Sequence, residues 1–524
     1  MKTKVVYLPL DERPCNRLYP QQLAAMTDLE MLVPALELLG KKKQRANLTG
    51  VADWLMEECR TAGVLIASLD MLVHGGIVPS RLHHDSSEDC RVRLQLLRKA
   101  KEANPHLKIY AFNLITRVPA YSSSEEEPDY YDQVGREIYE LGWLSDKSES
   151  VGLTEAEQKR LSEVLATIPE DVLTDYRTRR SVNSDVNKAA LELAETGVID
   201  YLIFPLDDNA QYGFSAMEQR ALTIQTELAG LADRVAIYPG ADEIGCTLFA
   251  RVFSELKQFT PSLFVRYSST QGPLCIPKYE DRSLNESIKA HLTSAGAVMA
   301  DGSADADAIL MVHSPAVSQQ EMGETSTLVQ ERHRSYFSEV NTREFAQAMK
   351  HYLDADRLVM LADVALCNGG DHLLMTLLHS RGLLPRLEGY AGWNTSGNSL
   401  GTVIAHAVIA SFYRKAAGDE KKRFGRSSRL FYISRLIEDW GYQSLVRYKV
   451  CLESLPPLGA SYFALSHVQD QVCRIIEAEL NAFVGRYMQG QVAESLNIQS
   501  VTLPWNRMFE VGFQVEMEEG ETKR

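Results

Sequence analysis

A partner made of phosphate backbone demands a large basic surface, and a chain of 524 residues with a formal charge of −15 does not supply one. Hydrophobic residues at 45% and charged residues at 24% are globular usage, which excludes a disordered or fibrous chain. No apolar stretch reaches the roughly 20 residues of a membrane-spanning helix, and the length exceeds what one core usually holds, so a large domain with an appended subdomain is expected.

The chain starts with an apolar run too short for a secretory signal, Val5-Val6-Tyr7-Leu8, which reads instead as a first strand. Eight cysteines without CxxC spacing suggest neither a zinc site nor a disulfide framework. A cytoplasmic protein with reduced thiols is therefore expected, with no nucleic-acid or membrane partner and no cofactor motif. The basic runs Lys41–Lys43 and Lys421–Arg423 are short and read as solvated faces.

Short apolar, β-rich runs recur after helix-length spacers: Val5 to Leu8, Val64 to Ala67, Ile109 to Leu114, Tyr201 to Phe204, Val235 to Tyr238, Leu263 to Tyr267, Ala308 to Val312 and Leu358 to Leu361. Such runs suit parallel strands buried on both faces. Eight of them predict a (β/α)8 TIM-like barrel over residues 1–400. A ninth candidate at Gly389-Tyr390-Ala391 disturbs that count, and an open doubly wound sheet is the alternative. No GxGxxG follows the first run, so a dinucleotide site is not indicated. A polar insertion at about 118–183, containing Ser122-Ser123-Ser124-Glu125-Glu126-Glu127-Pro128, is too long for an ordinary connection and could cover a site. Residues 401–524 read as a mainly helical subdomain with a closing strand or hairpin near Val501 to Val515.

Ligands of parallel α/β folds bind beyond the carboxyl ends of strands. The segments there are rich in acids, amides and glycine: Asp11, Arg13 and Asn16 after the first run, Asp70 and Arg81 after the second, Arg117 after the third. Asp207-Asp208-Asn209 follows the fourth and Asp242-Glu243 the fifth, while Asn368-Gly369-Gly370-Asp371 and Trp393, Asn394 and Asn398 come later. Asp207-Asp208 is the candidate chemical centre. Adjacent carboxylates cannot both ionise freely, so one is pushed toward a general acid while the other stays charged. A helix N-cap followed by a first-turn acid is the structural alternative.

Asp242-Glu243 is the second candidate pair, expected to hold substrate hydroxyls or balance charge. Trp393 with Asn394 and Asn398 has the makings of a sugar subsite, an indole face for the ring and amides for hydroxyls. Arg13, Arg81 and Arg117 are expected to pair with acids or to hold an anionic substrate group. The alternative chemistry is a divalent cation held by Asp11, Asp70, Asp207, Asp242 and Asp371, as in a metal-dependent hydrolase or lyase.

Taken together, Pro9-Leu10-Asp11-Glu12-Arg13-Pro14, Leu69-Asp70-Met71, Pro79-Ser80-Arg81, Asp207-Asp208, Tyr238 to Glu243, Asn368 to Asp371, Gly392 to Thr395 and Pro504-Trp505-Asn506-Arg507 resemble a bacterial family known as domain of unknown function 4127. A shorter likeness, an Asp-Asp-Asn strand end with an aromatic-Asn motif further on, resembles the O-GlcNAcase and hyaluronidase-like β-N-acetylhexosaminidases. That likeness implies a retaining, substrate-assisted glycoside hydrolase acting on a terminal N-acetylhexosamine of a small or oligosaccharide substrate. Asp207 would orient the acetamido group and Asp208 would act as acid/base. A carbohydrate-binding protein without turnover is the reading from a different class.

Overall fold

The computed structural model describes residues 3–518. The chain forms two compact units. One holds the chain up to Arg17, Asp28–Leu248 and Tyr279–Asp281; the other holds Leu18–Thr27, Phe249–Lys278 and the chain from Arg282 onward.

The first unit is built on β1 (Lys4–Leu8), β2 (Glu30–Leu32), β3 (Val64–Ser68), β4 (Lys108–Phe112), β5 (Tyr201–Leu206) and β6 (Val235–Pro239). They form one parallel sheet in the order β2-β1-β3-β4-β5-β6. Val64 to Ser68 and Tyr201 to Leu206 are buried throughout, as expected of strands covered on both faces. Val6, Leu8, Leu65, Ala67, Ile109, Leu202 and Phe204 share one core cluster with Val51, Leu55, Leu94 and Leu97 from the covering helices. Truncating one such side chain to Ala costs about 2–5 kcal/mol. Residues 118–183 add a loop and helices around their own small core, which includes Tyr131, Ile138, Val164 and Tyr176.

The second unit carries β7 (Ser262–Tyr267), β8 (Val298–Met299), β9 (Ala308–His313), β10 (Val359–Asp363) and β11 (Gly389–Ala391), parallel in the order β11-β10-β9-β7-β8. An antiparallel hairpin of β12 (Ser495–Thr502) and β13 (Gly512–Glu518) forms where a closing strand or hairpin was expected. The helix Ser396–Tyr413 is buried along nearly its whole length, as a central helix should be. Ile309, Met311, Val359 and Leu361 of the sheet lie in one cluster with Trp440, Ile476, Leu480 and Ile498, so residues 401–518 share the second unit's core.

All nine apolar runs become strands, but they do not close into the expected (β/α)8 barrel: they divide between two open sheets. In a barrel each strand pairs with its sequence neighbours on both sides. Here β1 pairs with the short β2 on one side and β3 on the other, and β7 likewise lies between β8 and β9. The first sheet therefore runs 2-1-3-4-5-6 and the second, counted from its β8 edge, 2-1-3-4-5, the doubly wound pattern that reverses direction once and leaves two edges. The open-sheet alternative describes them. Among the described residues, no helix is long and apolar enough to cross a membrane.

Candidate active site

In the first sheet the direction reverses between β1 and β3, the place where ligands of doubly wound sheets bind, beyond the carboxyl ends of the strands. Asp11 follows β1. Its Oδ1 accepts the backbone N–H of Arg13 at 2.9 Å, and its Oδ2 accepts Arg13 Nη2 at 2.7 Å. Arg13 Nη2 also donates to Asp242 Oδ1 at 2.5 Å, while Asn16 Nδ2 donates to both Asp11 Oδ1 (3.0 Å) and Asp242 Oδ1 (2.9 Å). All four side chains are buried. Burial pushes the Asp242 carboxyl up to about 6, against the pull of Arg13. Glu243 turns back: its Oε2 accepts the N–H of Ala241 at 2.9 Å, and its carboxyl lies over Gly240, whose φ of +155° suits glycine.

After β3, Ser68 caps the helix Leu69–His74, and the Oδ2 of the buried Asp70 accepts the N–H of Leu114 at 2.9 Å. Burial, opposed by that N–H and aggravated by Asp207, raises Asp70 to about 7. The next helix, Ile77–Leu82, carries Arg81. Its Nη2 donates to Asp207 Oδ2 at 2.6 Å and its Nη1 to Glu126 Oε2 at 2.8 Å. Arg117, beyond β4, donates to Glu127 (2.9 Å), Glu126 (3.1 Å) and Asp208 Oδ2 (3.2 Å). Two arginines thus face four acids, two from the loop after β5 and two from the insertion.

Asp207 and Asp208 occupy different environments within this cluster. Asp207 is the more buried and is ion-paired to Arg81. Asp208 has a side chain 27% exposed, a φ of +33° and one hydrogen bond, from Arg117. Burial and the neighbouring Asp207 charge push Asp208 up to about 6, against Arg117. The next residue, Asn209, is buried with neither amide atom hydrogen-bonded. An orphaned buried amide is costly unless a ligand or water completes it.

The remaining expected site residues lie in the second unit. Trp393 is 3% exposed, its Nε1 donates to Thr402 Oγ1 at 3.3 Å, and its ring meets Tyr19 edge-on at 5.7 Å. It packs the core and offers no open face for a sugar ring. Asn398 Nδ2 donates to the helix-capping Thr395 at 3.0 Å, and the Asn394 carbonyl accepts the N–H of Asn368 at 2.8 Å. Both Asn368 and Asn394 adopt positive φ. The π-helical turn Leu436–Val446 braces these loops: Asp439 accepts N–H groups of Gly370 (2.9 Å) and Gly392 (3.0 Å), and Ser444 donates to the Gly370 carbonyl at 2.7 Å. Asp371 caps the helix His372–Ser380 and pairs with His313 and Arg332.

Of the five acids expected as cation ligands, four are ion-paired to guanidinium groups, Asp11 and Asp242 sharing Arg13, Asp207 with Arg81 and Asp371 with Arg332, while Asp70 accepts the Leu114 N–H. Among the described residues, the cluster with metal-ligand spacing is elsewhere: atoms of His74, His83 and Asp85 lie within 4.8 Å of one another. His83 Nδ1 accepts the Asp85 N–H at 3.2 Å, and its Nε2 bonds Asn183 at 2.8 Å. Arg45 and Arg93 hold Asp85. With its lone pairs so engaged and two cations alongside, the cluster is a buried structural network. A cavity of about 450 Å³ lies at the opposite, N-terminal ends of β10 and β11, beside Leu358 and Glu388.

Glu126 and Glu127 were hidden in a polar insertion whose composition resembles any solvated loop. His313 and Ser268 were overlooked, although each immediately follows the apolar run of a strand.

The fold and this rim define an α/β protein with two open parallel sheets and an acidic site threaded by arginines at the strand ends of the first. The chain belongs to the family described as protein of unknown function DUF4127, which it matches over residues 5–514. No curated protein matches it.

Proposed function

We propose that the protein is a glycoside hydrolase that removes a terminal N-acetylhexosamine by a retaining, substrate-assisted mechanism, with Asp208 as acid/base. The carrying observation is the unequal environment of two adjacent carboxylates. Asp207 is anchored to Arg81, whereas Asp208 is raised to about 6 and partly open to solvent. That is the division a glycosidic bond needs, one carboxyl giving a proton to the leaving oxygen and one charged group stabilising the developing positive centre.

In this reading Asp207 orients the acetamido group so that its oxygen attacks the anomeric carbon. Asp208 protonates the departing oxygen and then takes a proton from the incoming water. Asn209 supplies an amide to a substrate hydroxyl or carbonyl. Asp242-Glu243 is less suited, because Asp242 already accepts from Arg13 and Asn16 and Glu243 is folded onto its own backbone. The closed first network of Asp11, Arg13, Asn16 and Asp242 then acts as the floor that fixes the loops.

The test is a panel of aryl glycosides assayed with the wild type, Asp207→Asn and Asp208→Asn. Asp208→Asn should lose about 10²–10⁴ in kcat on nitrophenyl N-acetylhexosaminides. It should recover much of this on dinitrophenyl substrates, whose leaving group needs no proton. Full activity in both variants would sink the proposal.

A further inference from the structure

The second sheet has its own reversal point, between β7 and β9, and a chain of hydrogen bonds crosses it. Ser268, the residue after β7, has its Oγ 3.0 Å from Nδ1 of His313, the last residue of β9. His313 Nε2 lies 3.1 Å from Asp371 Oδ2 beyond β10. Asp371 is further held by Arg332 Nη1 at 3.2 Å and by the N–H of Leu373 at 3.1 Å, both on Oδ1. Burial would raise the Asp371 carboxyl, but the hydrogen bond from His313 and the neighbouring Arg332 guanidinium hold it below the usual carboxylate value. In the tautomer whose Nε2–H donates to the Asp371 carboxylate, Nδ1 is the acceptor facing the Ser268 hydroxyl. Ser268 Oγ in turn accepts the N–H of Ser314 at 3.0 Å.

Two further atoms lack the partners a purely structural network would give them. Ser314 Oγ, on a fully buried residue adjoining Ser268 and His313, has no hydrogen bond. Neither has Asp363 Oδ1, although the Oδ2 of the same carboxyl accepts the N–H of Asp371 at 2.8 Å. Covering groups come from residues 314–341, a connection far longer than strand-to-helix loops usually are, with two 3-10 turns and one short helix. Its ties to the strand ends include Arg332 to Asp371 and the Tyr336 hydroxyl, which donates to the Ala365 carbonyl at 2.7 Å.

We propose that Ser268, His313 and Asp371 are a nucleophilic relay that hydrolyses a small carboxylic ester, reached when the 314–341 strap lifts. Ser268 Oγ bonds to the carbonyl carbon while its proton passes to His313 Nδ1. The ester C–O bond then breaks, and the leaving alkoxide takes that proton and departs as an alcohol. Water attacks the acyl group on Ser268 and gives a proton to His313 Nδ1. The Ser268–acyl bond breaks, the carboxylic acid leaves, and Ser268 recovers the proton. Asp371 stays ionised throughout and holds the imidazole in its working tautomer. Arg332 is a latch of the strap.

The experiment treats the full chain with a fluorophosphonate, in which a serine oxygen displaces fluoride from phosphorus, and locates the adduct by peptide mass spectrometry. The expected result is an adduct on Ser268, absent in Ser268→Ala and at least 100-fold slower to form in His313→Gln. Arg332→Gln and Tyr336→Phe, which each release one strap tie, should be labelled faster than the wild type. Turnover of p-nitrophenyl butyrate should follow the same order. Ser268 left unmodified in the wild type and in both strap variants would overturn the relay, as would equal ester turnover by a Ser268→Ala protein with an unchanged melting temperature. Equal labelling rates in the wild type and both strap variants would overturn the latch.

Discussion

Arg13 bridges Asp11 and Asp242, and Arg13→Met removes that charge while preserving much of the side-chain volume. The side chains of Arg13, Asp11 and Asp242 are only 5%, 3% and 6% exposed, so neither carboxylate can recover its solvation by turning outward. Removing one partner of a buried ion network costs about 3–5 kcal/mol. At about 1.4 kcal/mol per decade, that is roughly two to three and a half orders of magnitude in the opening equilibrium. Hydrogen exchange read on a peptide covering β1 should therefore accelerate by that factor, provided exchange proceeds through opening of the first unit.

The loss should depend on pH. Burial already sets Asp242 at about 6 with Arg13 in place, above the unfolded value of about 3.9. Without Arg13 the folded value moves further up, so the folded protein holds more protons than the unfolded one across a wider window. Stability then declines as pH rises through that window and is regained as pH falls. The deficit of Arg13→Met relative to wild type should be larger at pH 8 than at pH 5.5. A deficit below about 1 kcal/mol, or one equal at the two pH values, would refute the assignment of Arg13 as the counter-charge of a buried acid pair.

If Asp208 acts as the general acid, hydrolysis of aryl glycosides should decline as pH rises through about 6, and the residual activity of Asp208→Asn should lack that alkaline limb; this follows from pH–rate profiles of kcat. Gly240→Ala places a Cβ at 2.0 Å from Glu243 Oε1 on a backbone with φ of +155°, and should cost at least about 1–3 kcal/mol in urea unfolding. Trp393→Phe should leave aryl-glycoside KM within about twofold while lowering stability by about 1 kcal/mol through loss of the bond to Thr402; a large rise in KM would restore the sugar-platform role.

The strand positions were legible because burial on both faces forces each central strand to be an uninterrupted apolar run, and Val5–Leu8, Tyr201–Phe204 and Ala308–Val312 each satisfy that requirement. The edge strands β2 and β8 were not, since Glu30–Leu32 and Val298–Met299 are short and partly exposed and so form no buried apolar run. The site residues were legible as types at strand ends, Asp207-Asp208 above all, because carboxyl ends of parallel strands point loops toward a crevice. Their roles were not: Trp393 satisfies the same local pattern whether its indole is open or packed on Tyr19.

Local sequence determined that this chain makes parallel α/β structure with acids, arginines and glycines concentrated after its strands. Tertiary structure decided how the strands are ordered and which charges meet. Apolar runs specify burial but not neighbours, so an open 2-1-3-4-5 sheet and a closed barrel begin from the same pattern. Likewise Arg13 finds Asp242 across 229 residues, and Ser268 meets His313 across 45, pairings set by adjacent strand ends. The environment that separates Asp208 from Asp207 exists only once Arg81 and Arg117 have been brought to opposite members of the pair.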